Sequence, residues 1–244
     1  MLVIPALDLL AGRVVRLEQG RAERATVYSD QPAAVARAFA AQGAQRLHVV
    51  DLDGAFAGGA ASANRAAVAG ICAAVGPRVS VQVGGGVRDL LACETLLGQV
   101  GAAAVVLGTA AVKSPELVRA ACARWPGRVV VAVDARAGRV AVEGWAQETD
   151  LDAAALAAQV VAAGAAAVLY TDIERDGLKS GPALEATAEL ARALAPVPVI
   201  ASGGVASLDD LRALAAAGVP LCVVGRALYD GSFTLPEAIT AARQ

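Results

Sequence analysis

Eight short apolar runs, each followed by a stretch with helical spacing, constrain this chain more than any other feature. The runs are Leu2 to Leu7, Arg46 to Val50, Arg78 to Val83, Ala103 to Leu107, Arg128 to Val133, Ala167 to Tyr170, Val197 to Ala201 and Leu221 to Val224. The stretches with helical spacing are Pro32 to Gln42, Asn64 to Val75, Asp89 to Gln99, Pro115 to Arg124, Asp152 to Ala163, Pro182 to Leu194, Leu208 to Ala217 and Leu235 to Ala242. The apolar runs lack polar alternation, which predicts strands of a parallel sheet buried on both faces. Eight β/α units in 244 residues predict a single α/β domain, residues 1–244, folded as one closed (β/α)8 barrel of the TIM type. An open, doubly wound sheet is the alternative. Hydrophobic residues make up 57% of the chain, enough for a core of that size and too many for disorder. Two connections carry no such pattern. Asp8 to Gln31, polar and arginine-bearing with Gly12 and Gly20, reads as a long mobile loop, and Ala135 to Asp150 reads as a Gly-containing link.

In such barrels the active site lies where strands end and the following loops begin, so the strand ends carry the functional message. These ends pair between two halves, about 1–125 and 126–244, which predicts a duplicated half-barrel. Asp8 ends the first strand and Asp134 the fifth; Asp51 ends the second and Asp172 the sixth. The phrase Val83-Gly84-Gly85-Gly86-Val87 after the third strand returns as Ala201-Ser202-Gly203-Gly204-Val205 after the seventh. Gly108-Thr109 follows the fourth strand and Gly225-Arg226 the eighth. Glycines there let backbone N–H groups approach an anion, and a helix start adds partial positive charge. Two such cradles predict a small-molecule ligand with a phosphate at each end. The first and fifth strands of a barrel face each other, so Asp8 and Asp134 are expected across the mouth, an arrangement suited to general acid–base catalysis.

Other functional classes are disfavoured. The formal charge is −2 and no basic run occurs, which argues against nucleic acid. Cys72, Cys93, Cys122 and Cys222 are far apart, and a single histidine, His48, makes no zinc-site spacing with them; reduced, buried cysteines and no metal are expected. The N-terminus has no basic segment ahead of an apolar one, and the longest uncharged run is broken by glycines. A cytoplasmic protein with no membrane partner, and a monomer, is the expectation.

At these residues the sequence resembles the phosphoribosylformimino aminoimidazole carboxamide ribotide isomerase family of histidine biosynthesis. The motifs that carry the resemblance are Ile4-Pro5-Ala6-Leu7-Asp8, Val14-Val15-Arg16-Leu17, Leu47-His48-Val49-Val50-Asp51-Leu52-Asp53-Gly54-Ala55, Val81-Gln82-Val83-Gly84-Gly85-Gly86-Val87-Arg88, Val142-Glu143-Gly144-Trp145 and Thr171-Asp172-Ile173-Glu174-Arg175-Asp176-Gly177. They span nearly the whole chain. The resemblance implies a (β/α)8 barrel that needs no cofactor or metal. It also implies an Amadori rearrangement, aminoaldose to aminoketose, on a substrate with two ribose phosphates. By resemblance Asp8 is the base and Asp134 the acid, with Asp134 held at a raised pKa.

The remaining candidates have less defined roles. Thr171 and Asp176, followed by Gly177, are expected to position substrate or assist catalysis. Arg16 and Arg88 are expected to meet phosphate, carboxamide or the far end of the substrate, and the loops after strands one and five to close over it. Trp145 either stacks on the aminoimidazole ring or anchors its loop. Gly85, Gly86, Gly108, Thr109, Gly203, Gly204, Gly225 and Arg226 are expected at the phosphates. Asp51 and Asp53 order a turn in the structural alternative, and His48 is a core or supporting residue. Three rival activities stay open: an isomerase that also takes phosphoribosylanthranilate, the related cyclase barrel of the histidine pathway, and a non-catalytic sugar-phosphate sensor. Arg16, where the cyclase carries lysine, and Gly84, where the dual-substrate enzyme tends to carry serine, favour the isomerase.

Overall fold

The computed structural model describes residues 1–18, 21–57 and 62–243. In chain order its strands are β1 (Leu2–Leu10), β2 (Arg13–Glu18), β3 (Arg21–Ser29), β4 (Arg46–Asp51), β5 (Ser80–Gly84), β6 (Ala104–Leu107), β7 (Val129–Arg136), β8 (Arg139–Val142), β9 (Gln147–Asp152), β10 (Ala167–Asp172), β11 (Val199–Ser202) and β12 (Leu221–Val224). Eight of them form a parallel sheet in the order β10-β11-β12-β1-β4-β5-β6-β7, and pairing of β10 with β7 closes it into a barrel. The open-sheet alternative is thereby excluded.

The absence of polar alternation has its cause in two hydrophobic environments. On β1, Val3, Leu7 and Leu9 face the surrounding helices, while Ile4 and Ala6 fill the barrel with Val106, Val130, Ala167, Leu169, Ile200 and Val223. Helices 32–41, 62–75, 115–124, 153–162, 184–193, 208–216 and 235–241 cover the outside. The strand Leu221–Val224 and the helix Pro115–Arg124 have the bounds expected from the sequence. The stretch Asp89 to Gln99 does not form one regular helix. Residues 90–94 are α-helical, the turn then widens over 95–100, and Gly101 ends it at φ 84°.

The segment expected to be a long mobile loop is largely strand. β1 runs past Asp8, turns at Ala11-Gly12 and is followed by β2 and β3 as an antiparallel ribbon, with Leu10 opposite Arg13 and Asp8 opposite Val15. Gly20 lies outside the described residues. The link after β7 does the same: it turns at Ala137-Gly138, and β8 and β9 follow, with Arg136 opposite Arg139. Both two-residue turns take positive φ at each position (49° and 74°; 46° and 79°), the geometry that matches strand twist in tight hairpins. These ribbons escape sequence reading because their charged residues hide the strand pattern; Arg16, on β2, is 9% exposed. No described helix is long and apolar enough to cross a membrane.

Candidate active site

A cavity of about 750 Å³ opens at the C-terminal ends of the eight barrel strands. Every site residue expected from the sequence lines it: Asp8, Arg16, Gly85, Gly86, Arg88, Gly108, Thr109, Asp134, Trp145, Thr171, Asp176, Gly177, Gly203, Gly204, Gly225 and Arg226. Strand phase explains which aspartates take part. Side chains alternate across a strand, so Asp8 shares the inward face of β1 with Ala6, and Asp134 shares that of β7 with Ala132. Asp51 and Asp172 fall one residue out of phase with the inward Val50 and Thr171 and do not line the cavity. Asp51 instead accepts from the Gly54 N–H at 2.9 Å and from Asn64 Nδ2 at 2.6 Å. Asp53 accepts from the Ala11 N–H at 2.8 Å, and Asp172 from the Glu174 N–H at 3.0 Å. These three carboxylates order turns.

The barrel order sets the geometry. β1 and β7 lie four positions apart in the ring of eight, hence on opposite walls, and so do β5 and β11. The axis joining Asp8 to Asp134 therefore crosses the axis joining the two glycine turns. Those turns are held by close backbone packing. A Cβ on Gly85 (φ 94°) would stand 2.1 Å from the Asp51 carbonyl oxygen, and one on Gly204 (φ 83°) would stand 2.2 Å from that of Gly181. The helix starts after them are capped from within: Asp89 accepts from the Ala92 N–H at 2.7 Å, and Ser207 with Asp210 forms a reciprocal cap. The anion-binding capacity left at these turns therefore lies in the glycine segments rather than in the first turns of those helices. The short helices 110–113 and 226–229, after β6 and β12, have no side-chain cap.

The two central carboxylates have different company. Asp8 accepts from Arg16 Nη1 at 2.7 Å, with both side chains mostly buried (14% and 10% exposed). Burial pushes the Asp8 carboxyl above the ordinary aspartate range; the Arg16 charge opposes that push and Asp176 adds to it. Arg16 thus sits between Asp8 and the Gly225 turn. Its guanidinium rests on Gly225, where a Cβ would come within 2.3 Å of Nη2. Among the described residues Asp134 has no cation in contact. Burial raises its pKa; hydrogen bonds from Trp145 and Thr171 offset part of this, and Asp176 raises it again. The Trp145 Nε1–H donates to Asp134 Oδ2 at 2.9 Å. Asp176 is itself raised by burial, against the pull of Arg16. Arg226 donates to the Gly177 carbonyl, tying down the loop that carries Asp176, and Arg88 is exposed at the cavity rim.

Sequence reading missed several lining residues. Ser202 occupies the place before a glycine pair that Gly84 occupies in the first half, a signal present in the repeat itself. Phe56 and Lys113 line the cavity from the short helices 52–57 and 110–113, and Lys179 from a turn, none with a distinguishing pattern. Among the described residues no group of three or more His, Cys, Asp or Glu side chains could hold a metal ion, and all four cysteines are free thiols.

Comparison with known proteins agrees with this geometry. The family model described as "Histidine biosynthesis protein" matches residues 2–234. A relative from Dinoroseobacter shibae is 56% identical, with 98% of each chain covered. One from Rhodospirillum rubrum is 53% identical over 98% of each chain, and one from Geotalea daltonii 51% identical over all of this chain and 98% of its own. Each of the three is named 1-(5-phosphoribosyl)-5-((5-phosphoribosylamino)methylideneamino)imidazole-4-carboxamide isomerase. With opposed aspartates between paired glycine turns and full-length similarity of this order, the chain belongs to the histidine biosynthesis protein family.

Proposed function

We propose that this chain is the isomerase its relatives are named for, converting the bisphosphorylated formimino ribotide from aminoaldose to aminoketose. The observation that carries the reading is the crossing of two axes in one cavity: glycine turns on opposite walls, and Asp8 and Asp134 on the other two. A ligand stretched between the turns lays its middle between the carboxylates. A phosphate sensor has no use for that crossing.

The chemistry follows from the surroundings of each group. Asp134, raised and without a cation in contact, is the acid. It gives its proton to the furanose ring oxygen; the C1′–O bond breaks, and the nitrogen lone pair forms the C1′=N Schiff base. Asp8, paired with the Arg16 cation, is the base. It takes the C2′ proton, and the electrons left behind form the C1′=C2′ enolamine. Loss of the enol O–H proton and protonation at C1′ give the ketone, so the reaction is redox-neutral overall. Trp145 and Thr171 hydrogen-bond Asp134 and hold it in the cavity for substrate. In this reading Trp145 also offers its ring face to the aminoimidazole. Gly85, Gly86, Gly203 and Gly204 receive the phosphates, flanked by Gly108, Thr109, Gly225 and Arg226; Arg88 meets substrate at the rim, and Asp176 and Gly177 close on the reacting sugar. The matching hairpin, glycine turn and short helix in each half support a duplicated half-barrel.

The test is turnover by the purified protein of the formimino ribotide, followed by absorbance, and separately of phosphoribosylanthranilate, followed by fluorescence. Turnover of the ribotide is expected. Asp134→Asn should lower it by roughly 10²–10⁴-fold, the usual value of a positioned acid. A folded protein inactive on the ribotide would sink the reading.

A further inference from the structure

We propose that Gln82 fixes the tautomer of His48, so that this imidazole presents its Nε2–H as a neutral hydrogen-bond donor to the C2′ oxygen of the reacting sugar. The inference rests on the isomerase reading above. His48 is the chain's only histidine. It lies on β4 in register with Ala6 on β1 and Gln82 on β5. Asp8 pairs in register with Val50, two residues further along β4, so His48 lies one side-chain layer below Asp8 on the neighbouring strand. Around it the cavity floor is apolar: Ala6, Val106, Ala132, Leu169 and Val223. A polar ring in that layer is costly to bury without partners.

One partner is present. Gln82, 1% exposed and on the inward face of β5 beside His48, places Nε2 at 2.9 Å from His48 Nδ1, while its Oε1 meets no donor. The contact can be made with the amide either way round. If Oε1 faced the ring, Nδ1 would carry the proton and the amide NH₂ would take the position where Oε1 now finds no partner. As the amide is placed, its NH₂ rather than its oxygen faces the ring, at 2.9 Å from Nδ1. Gln82 therefore donates to Nδ1, and the ring proton sits on Nε2, the nitrogen left for the cavity that His48 lines. Burial and the nearby Arg16 charge hold the imidazole pKa at about 4, so the ring stays neutral near pH 7. A neutral donor beside the carbon that Asp8 deprotonates can stabilise the oxygen that changes from hydroxyl to ketone without taking the proton itself. Gln82 is then a positioning residue, acting only through His48.

A lone histidine makes the test direct. The protein labelled with 15N-histidine gives ring signals from His48 alone, and long-range proton–nitrogen NMR distinguishes the tautomers. The Nε2–H form is expected in the free protein down to about pH 5. Saturating an inactive Asp8→Asn variant with the formimino ribotide should shift the Nε2–H proton. Gln82→Leu should give a mixture of tautomers and lower kcat by about 10- to 100-fold while KM changes little, the pattern of an interaction made in the transition state. An Nδ1–H tautomer in the free wild-type protein, or an Nε2–H signal unmoved by bound ribotide, overturns the inference even if turnover is normal. Absence of turnover by the folded wild type instead overturns the isomerase reading, and with it the ligand assigned to His48.

Discussion

Replacing Gly225 by alanine tests how the base is kept ready. The new Cβ would stand 2.3 Å from Arg16 Nη2, 2.5 Å from Cζ and 2.8 Å from Nη1. The backbone φ there is −110°, so alanine meets no left-handed strain and the barrel should fold. The guanidinium must instead retreat by about 1 Å to reach ordinary contact, and a retreat directed away from Asp8 takes the 2.7 Å bond beyond hydrogen-bond range. Two terms then compete. At an effective dielectric of about 20, unit charges near 4 Å attract by about 4 kcal/mol, and a retreat of 1 Å forfeits only about a fifth of that. Losing a hydrogen bond to a charged group costs roughly 1.5–3 kcal/mol, so the bond decides the outcome. That energy corresponds to a fall of about 10- to 150-fold in the carboxylate fraction of Asp8 on the acidic side of its titration. The assay is kcat/KM against pH. Arg16 opposes the upward push of burial on Asp8, so moving it away raises the Asp8 pKa further. The acidic limb should move to higher pH, and variant and wild-type rates should converge where both are ionised. A uniform loss at every pH, with no displaced limb, would refute the reasoning.

Two stability effects should accompany these. Asp134 is raised in the folded protein, so the native state holds its proton more tightly than the unfolded chain and loses stability as pH rises from about 4, the unfolded value, through the folded pKa. Asp134→Asn should therefore stabilise the fold at pH 7 by roughly 0.5–2 kcal/mol while abolishing most activity. The difference in Tm should disappear below about pH 4, where the wild-type Asp134 is protonated in the folded and the unfolded chain alike. Gly204→Ala should destabilise by more than Gly127→Ala in urea titrations. Both positions have positive φ, worth about 1–3 kcal/mol of strain, but only at Gly204 would the Cβ also press on a backbone carbonyl, 2.2 Å away; Gly127 has nothing within 4 Å. Equal losses would show that packing at the glycine turn is unimportant.

Much of the site was legible because its chemistry sits at strand ends, and apolar runs mark those ends. Asp8 and Asp134, the glycine pairs and Gly108-Thr109 could all be placed that way. The hairpins after β1 and β7 were not legible. Val14, Val15 and Leu17 are interleaved with arginines and a glutamate, and the ribbon becomes strand only because β2 pairs with the far end of β1. Nor could the position of Arg16 be read. An arginine in a polar stretch is ordinarily solvated; this one is buried because Asp8 accepts from it and Gly225 leaves room for it.

The sequence by itself determined the eight β/α units, through eight doubly apolar strands, and the presence of two glycine turns and two aspartates at matching strand ends, while closure rests on the pairing of β10 with β7. Tertiary structure decided which strand-end carboxylates face the cavity, since a shift of one residue turns a side chain to the opposite face of its strand. Asp134 and Asp172 look equivalent in the chain, yet only the first shares the inward phase of its strand. It also decided the companions of each group, Arg16 at Asp8, Trp145 at Asp134 and Gln82 at His48, because each pairing joins residues that meet only when the barrel closes or a hairpin folds over its mouth.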